Sequence, residues 1–581
     1  MIKKRDKYFA NIQDFFLANQ NVSSLEEINN WFIKSRNGDF FVDGLNQFEE
    51  ILYRFKNEPI YIVGDYDVDG VMSTSEWMLC LEELGFTNIH FRIPKRHTEG
   101  YGINEKIIDE IENGLIITCD NGISAIDVIQ KAKDKGLTVI ITDHHLPLYD
   151  DENNVILPNA DLIINPNAIE NSADFSGYCG AGVVYKIIEK LLKNDRKKLG
   201  RYQVMAAIAT ICDVMELTSE NYVIVKDGLN KMKYPYYCTV GLYALLQEFE
   251  LTKHCTAKDI GYKIGPAINS MSRMYDDGAT KVVNMLLETK PENFRKSVED
   301  AKYIFETNKM RKNKTKEGMD LAEEIIKNNA LYGEIPFVIN IPNFSEGIIG
   351  ILAGKIAEKY QVPTFVFTNS LSDNSVLKGS ARTPDGITYH IKNHLDIADV
   401  KKELLSYGGH EKAGGLSVSI NNFDSFTLAL QMNSLDCVKE YFSEPCSIYD
   451  FEIDASQVKA CLEEMKKYEP YGEGNPMPKF FIKNAQLLPS YTGWASFLGD
   501  GTIAKIKTKG FDAITFNNAE QIKNEICDLD KHNVNLVGFI GENFFNGECT
   551  LQIEFDDFEA FNIETPKTDL AKQLFEKASS H

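Results

Sequence analysis

The sequence predicts an α/β fold: a parallel-sheet domain, a smaller α/β domain joined to it by a long helix, and a C-terminal β-barrel domain. Three observations carry this expectation. From about residue 51 to 215, short apolar β-prone runs alternate with helical stretches, as the strand–helix units of a parallel sheet do. A long helical pattern over about 291–328, almost wholly polar at its centre (306–318) and so expected to bridge two domains through solvent, separates this region from a second alternating set. Its basic band of Lys309, Arg311, Lys312, Lys314 and Lys316 either lines a binding cleft or is simply solvated. Beyond about 447, short β-like segments succeed one another with turns between them.

At 581 residues the chain is too long for one core, and its length suggests about three or four domains. Residues 1–50 read as a helical segment without legible chemistry, and 51–285 as the first α/β domain with helices expected over 73–84, 124–135 and 184–192. The connecting helix occupies 286–331 and the second α/β domain 332–446, with strands over 335–341 and 364–367 flanking a helix over 347–360. The barrel is expected over 447–565, with five strands near 479–482, 503–508, 513–516, 534–540 and 549–555, followed by a tail at 566–581. Such a barrel tracks single strands by stacking bases on aromatics; Trp494, Phe497, Phe539, Phe544 and Phe545 are the candidates, although most aromatics of a small barrel are core.

A composition of 43% hydrophobic and 25% charged residues is that of a soluble globular protein. No apolar run of about 18 residues suggests a membrane span, and the basic N-terminus lacks the apolar core of a secretory signal. Eleven scattered cysteines without a Cys-x-x-Cys pair fit a reducing cytoplasm. The net charge of −23 argues against a generic nucleic-acid binder but allows a narrow basic groove on an acidic body.

The chemistry gathers at the ends of apolar runs. Tyr61-Ile62-Val63 leads into Asp65, Asp67 and Asp69; residues 115–119 lead into Asp120; residues 138–142 lead into Asp143-His144-His145; and the apolar run 206–212 precedes Asp213. One aspartate at a strand end is usually a helix cap or a turn residue. Four such ends, one with paired histidines, read instead as a dinuclear site for hard divalent ions, because crowded carboxylates repel one another until a cation neutralises them. In a parallel sheet the carboxyl ends of the strands are where ligands bind. The glycine-rich start Cys179-Gly180-Ala181-Gly182-Val183 is read chiefly as close helix packing, and no Walker loop is present.

GDYDVDG at 64–70, TCDNG at 118–122, Asp143-His144-His145 and Asp213 resemble the four motifs of the DHH phosphoesterase superfamily. EGYG at 99–102, CGAGV at 179–183, GSART at 379–383, GGHEKAGGL at 408–416 and YGEGNPMPKF at 471–480 narrow the resemblance to its RecJ branch, over about residues 50–556. The resemblance implies a 5′→3′ exonuclease for single-stranded DNA that uses two Mn²⁺ or Mg²⁺ ions and serves DNA repair and recombination. Its partners would be a single strand with a 5′ end, delivered by a helicase and a single-strand-binding protein, and the enzyme would be a cytoplasmic monomer.

Carried onto this sequence, the resemblance makes Asp120 the bridge between the ions. Asp67 and Asp65 would serve one, and Asp69, His144 and Asp213 the other. Val63 stands where relatives outside the RecJ branch often carry histidine, which makes Asp65 a candidate direct ligand. Asp143 would orient a histidine. His145 and His410, the latter in Gly408-Gly409-His410 of the DHH-associated domain, would polarise the scissile phosphate or protonate the leaving oxygen. Arg96, Ser380 and Arg382 match residues that hold the 5′-phosphate, and Arg273 one available to a backbone phosphate. Ala381 and Thr383 replace the common Gly and Ser, which puts the geometry of that expected loop in question.

Two rivals differ in prediction. An oligonucleotide or cyclic-dinucleotide phosphodiesterase of the same superfamily would be shorter and lack the barrel. A non-catalytic replication-fork scaffold would lack metal ligands, whereas every expected acid and histidine is present here.

Overall fold

The computed structural model describes residues 2–7, 9–150, 152–168, 172–329, 331, 333–434, 447–489, 493–499, 501–529, 531–545 and 548–562. They form two compact units. The larger comprises Glu26–Ser443 with Gly472–Gly474; the smaller comprises Met1–Leu25, Glu444–Tyr471 and Asn475–His581.

The larger unit begins with five parallel strands, β1 (Ile60–Val63), β2 (Ile89–Arg92), β3 (Leu115–Cys119), β4 (Thr138–Thr142) and β5 (Leu162–Ile164), in the order β2-β1-β3-β4-β5. Successive residues of a strand face opposite sides, and here both sides are dry. Ile60, Ile62, Leu115, Ile117 and Ile140 join one core with Phe48 and Trp77, whose rings stack at 5.0 Å. Val63, Ile116, Val139 and Ile141 join another with Ile107 and Ile129. Burial on both faces explains why these strands read as continuous apolar runs.

Helix α1 (Val68–Glu83) follows β1 directly. Further along, α2 (Gly180–Leu191) and α3 (Arg196–Cys212) pack on it, so the run ending at Asp213 is a helix and not a strand. Between α2 and the helix Ser219–Lys231 lies a buried polar knot: Lys186 pairs with Glu189 and Glu220, and Glu220 also accepts from the Tyr178 hydroxyl. Helix α4 (Gly265–Met274) leads to the 35-residue helix α5 (Phe294–Asn328). The middle of α5 was expected to run through solvent, yet Thr307, Asn308, Thr315 and Gly318 are buried. These small residues permit close packing; a Cβ at Gly318 would stand 2.6 Å from Leu352.

A second sheet follows: β6 (Phe337–Asn340), β7 (Thr364–Asn369), β8 (Val376–Arg382), β9 (Leu404–Gly409) and β10 (Ala413–Ser419), in the order β9-β10-β8-β7-β6, with α6 (Glu346–Tyr360) between β6 and β7. Gly379–Arg382 was expected as a loop; it lies within strand β8, alternating buried with half-buried residues. Ala381 is therefore a core residue, and Gly379 makes room for the Phe367 ring.

In the smaller unit β11 (Phe480–Leu488), β12 (Ile503–Thr508), β13 (Asp512–Thr515), β14 (Asn533–Phe545) and β15 (Glu548–Phe561) close on themselves. Strand β11 pairs with β12, β12 with β13, β13 in parallel with β15, β15 with β14, and β14 with β11. This ring is the expected five-stranded OB-like barrel, although β14 and β15 run to 13 and 14 residues and are not short. Strands Phe451–Asp454 and Ala495–Leu498 extend the sheet, and Ile2–Lys4 pairs with Ser447–Tyr449. Phe497 and Phe544 are exposed, Trp494 lies against His532 at 4.4 Å, and Phe539 is half-buried; the Phe545 side chain lies outside the described residues. Among the described residues, no helix is long and apolar enough to cross a membrane.

Candidate active site

Three strand ends and one helix end deliver the acidic set. Asp65 and Asp67 follow β1; Asp67 caps α1, accepting the Gly70 N–H at 3.1 Å, and Asp69 sits in the first turn of α1. Asp120 follows β3 in the left-handed region (φ 63°), which swings its side chain off the strand's path. Asp143, His144 and His145 follow β4, and Asp213 caps the C-terminus of α3.

These residues converge. The Nε2 of His144 lies 3.2 Å from Asp120, 3.6 Å from Asp69 and 3.6 Å from Asp213. Asp69, His144 and Asp213 form one group, and Asp120, His144 and His145 an overlapping one, whose donor atoms lie within 4.8 Å of one another, close enough to hold a cation. Two buried atoms, His144 Nε2 and Asp65 Oδ2, have no hydrogen-bond partner within the protein. Burial, then the neighbouring carboxylates, raises Asp65 and Asp120 well above the usual carboxylate range and pushes Asp213 up to about 8. Crowded, desolvated, unpartnered oxygen and nitrogen donors fit hard divalent cations.

The supporting contacts separate ligands from holders. Asp143 spends its carboxylate on donors: Ile123 N–H at 2.9 Å, His144 N–H at 2.8 Å and the Nδ1 of His145 at 2.8 Å. It therefore orients His145 and leaves His144 free to ligate. Burial alone would depress His145, but the bond to Asp143 outweighs it and holds the imidazole at about 9. The N-terminus of α2 serves Asp69, whose oxygens accept Gly180 N–H at 2.6 Å and Ala181 N–H at 2.7 Å. Close packing is thus only half of what the glycine-rich stretch does; its amides also fix a carboxylate.

Beside this anionic cage lies a cationic one. The Arg96 guanidinium stacks on Tyr66 at 4.5 Å. Arg273 donates to the Gly347 carbonyl of α6 at 3.1 Å and is lowered to about 9 by burial and by Arg96, Arg311 and Arg382. Arg382 donates to the Ser380 hydroxyl at 3.4 Å, and both side chains lie over Gly350 of α6. Burial lowers all three of Arg273, Arg311 and Arg382, and neighbouring arginines add to it at Arg273 and Arg382. Such a cluster is a site for a polyanion. Gly408 and Gly409 end β9, and His410 is exposed at the following turn, where its backbone N–H donates to the Ala413 carbonyl at 2.8 Å.

Sequence reasoning passed over two participants. Tyr101, noted only within EGYG, donates to the Asp120 carbonyl at 2.8 Å and stands 3.3 Å from His145. Tyr66 joins through tertiary packing, for which single-sequence patterns hold no signal, whereas Arg311 belongs to the basic band of the long helix and comes close enough to Arg273 to depress it.

Models of the DHH family N-terminal domain, the DHHA1 domain and the RecJ OB domain match residues 59–212, 334–432 and 449–557. The single-stranded-DNA-specific exonuclease RecJ of Haemophilus influenzae is 30% identical over 445 residues, covering 73% of this chain and 74% of the relative. The chain belongs to the RecJ family. A crystal structure of RecJ from Thermus thermophilus in complex with Mn²⁺ matches 90% of this chain and 72% of its own at a TM-score of 0.68 and 24% identity. A manganese-bound exonuclease RecJ structure matches 69% and 97% at a TM-score of 0.57 and 26% identity. The α/β class with its C-terminal OB-like domain, expected from the alternation of strands and helices and from the β-rich C-terminal run, stands.

Proposed function

We propose that this chain is a metal-dependent exonuclease that degrades single-stranded DNA from its 5′ end to 5′-mononucleotides, in repair and recombination. The carrying observation is the unpartnered His144 Nε2, set 3.2–3.6 Å from three carboxylates. Membership of the RecJ family, whose curated relatives are named single-stranded-DNA-specific exonucleases, supports the substrate. The filled ligand set argues against a non-catalytic scaffold.

Asp65, Asp67, Asp69, Asp120, His144 and Asp213 would hold two divalent ions, Mn²⁺ or Mg²⁺, with Asp120 between them. Such ions supply an activated water at neutral pH and neutralise charge on both attacking and leaving oxygens. Around them the side chains have separate tasks. Arg96, Ser380 and Arg382 hold the terminal phosphate, so cleavage falls one nucleotide from the end, and Arg273 takes the next phosphate. Asp143 keeps the His145 imidazole protonated near neutral pH, where it can give a proton to the departing 3′ oxygen. Gly408, Gly409 and His410 would line the strand's path from the second sheet. Delivery of the strand by a helicase and a single-strand-binding protein, a monomeric enzyme and a cytoplasmic location complete the reading; the free cysteines fit the last.

The test is digestion of matched 5′-phosphorylated single-stranded and duplex DNA with Mn²⁺ or Mg²⁺. Asp120→Ala is expected to abolish both nuclease activity and Mn²⁺ binding by calorimetry; retention of metal-dependent cleavage would overturn the assignment. Preference for di- to pentanucleotides over long strands would favour the phosphodiesterase alternative.

A further inference from the structure

We infer that Asp276 is a positioning residue that sets the Arg96 loop and thereby the enzyme's discrimination of the 5′-terminal group. The inference rests on the proposed role of Arg96 in holding the 5′-phosphate.

The loop between β2 and the next helix is closed mainly on itself. Glu99 accepts the Lys95 N–H at 2.9 Å and returns its own N–H to the Lys95 carbonyl at 2.8 Å. Arg92 donates to Glu99 at 2.9 Å and through two nitrogens to Glu110 at 2.9 and 3.0 Å. These bonds tie the ends of the loop to its own neighbourhood but not the segment around Arg96 to the opposite wall of the site. Asp276 makes that tie. Its two oxygens accept the His97 N–H at 3.0 Å and the Thr98 hydroxyl at 2.9 Å, on the residues immediately after Arg96.

Asp276 is well placed for the task. It lies three residues beyond Arg273, in the turn between α4 and the helix Gly278–Leu286. That turn is tight: Gly278 N–H meets the Tyr275 carbonyl at 3.0 Å, and a Cβ at Gly278 would stand 2.1 Å from the Met271 carbonyl. One rigid turn therefore fixes Arg273 through the chain and Arg96 through a side chain, while the Tyr66 ring holds the guanidinium from the other side at 4.5 Å. Each oxygen of the carboxylate thus has a donor on the Arg96 loop. A carboxylate makes stronger bonds to such donors than a neutral acceptor does.

The experiment measures kcat and KM of the full chain, Asp276→Ala and Asp276→Asn on strands ending in 5′-phosphate or 5′-hydroxyl, with melting temperature and Mn²⁺ affinity alongside. Loss of two hydrogen bonds predicts a KM for phosphorylated ends raised by about tenfold or more in Asp276→Ala. The value for hydroxyl ends should change less than about threefold, with kcat and Mn²⁺ affinity kept. Asp276→Asn, whose amide oxygen still accepts, should restore most of the preference. Arg96→Ala should lose the same preference, and adding Asp276→Ala should remove nothing further. If the wild type discriminates and Asp276→Ala discriminates equally, or if both substrates suffer alike, this inference is wrong while the reading of Arg96 stands. A wild type indifferent to the 5′ group would overturn both.

Discussion

Replacing Gly180 by alanine adds one methyl group at the narrowest point of the site. A Cβ there would stand 2.6 Å from the Asp120 Cβ, 2.9 Å from its Cα and 3.0 Å from Asp69 Oδ2. Carbon atoms in contact need about 3.5 Å or more, so Asp120 must retreat by roughly 1 Å, and its backbone must go with it. Taken alone, alanine at a helical position is worth about 0.5–1 kcal/mol over glycine, so helix propensity opposes any loss. Overpacking costs about 1–3 kcal/mol, which leaves the fold intact. A displacement of about 1 Å at a reacting centre, however, costs about 10²-fold in rate. Gly180→Ala should therefore melt within a few degrees of wild type, bind Mn²⁺ more weakly, and lose about two orders of magnitude in kcat. Gly182→Ala is the control, because its nearest neighbour, the Tyr178 Cβ, is 3.2 Å away and Asp120 is not among its contacts. The assay is single-turnover release of the labelled 5′ nucleotide, with circular dichroism to verify folding. Full activity in Gly180→Ala would refute the placement of Asp120 as a ligand whose position matters at this scale.

Other outcomes follow from the same geometry. The raised carboxyls make the metal-free protein sensitive to pH: Asp213 moves from about 4 in an unfolded chain to about 8 in the fold. Between those values the folded state holds more protons than the unfolded one, so stability should fall as pH rises across that window. Saturating Mn²⁺ should remove the fall; calorimetry at pH 5.5 and 8 with and without metal checks this. Mn²⁺ uptake should also release protons near pH 7, measurable as a dependence of binding heat on buffer ionisation. In the buried knot, Glu220→Ala strips Lys186 of a partner and leaves the Tyr178 hydroxyl without its acceptor. It should cost about 3–5 kcal/mol of stability in urea denaturation, with Tyr178→Phe costing less.

Much of this site was legible because its ligands follow short, fully apolar runs, and a strand buried on both faces leaves no other pattern. Asp120 and the Asp143-His144-His145 group could be placed at strand ends for that reason. Asp213 could not. Residues 206–212 are apolar, but alanine-rich, and a run of that length does not separate strand from buried helix by periodicity. Gly379–Arg382 misled in the opposite direction, since glycine and serine suggest a turn when the real constraint is the Phe367 ring lying across the strand. The polar middle of α5 suggested solvent because Thr307, Asn308 and Thr315 are hydrophilic, although small polar residues also serve where helices approach closely. Asp276 and Tyr101 matter only through partners more than a dozen residues away, Thr98 and His145. Their identities are ordinary, and nothing local marks them.

Two helix ends meet at this centre with opposite polarity. The start of α2 offers its amides to Asp69, while α3 finishes at Asp213, and the Cys179 sulfur beside the first lies 3.6 Å from the Thr210 hydroxyl near the second. Peptide dipoles thus present a positive pole to a carboxylate and a negative pole to whatever Asp213 binds. The backbone itself writes an alternation of sign across this corner, so exchanging side chains alone would not convert it into an anion pocket. A variant that discarded the carboxylates would still carry the amides of Gly180 and Ala181 and the end of α3 in the same places.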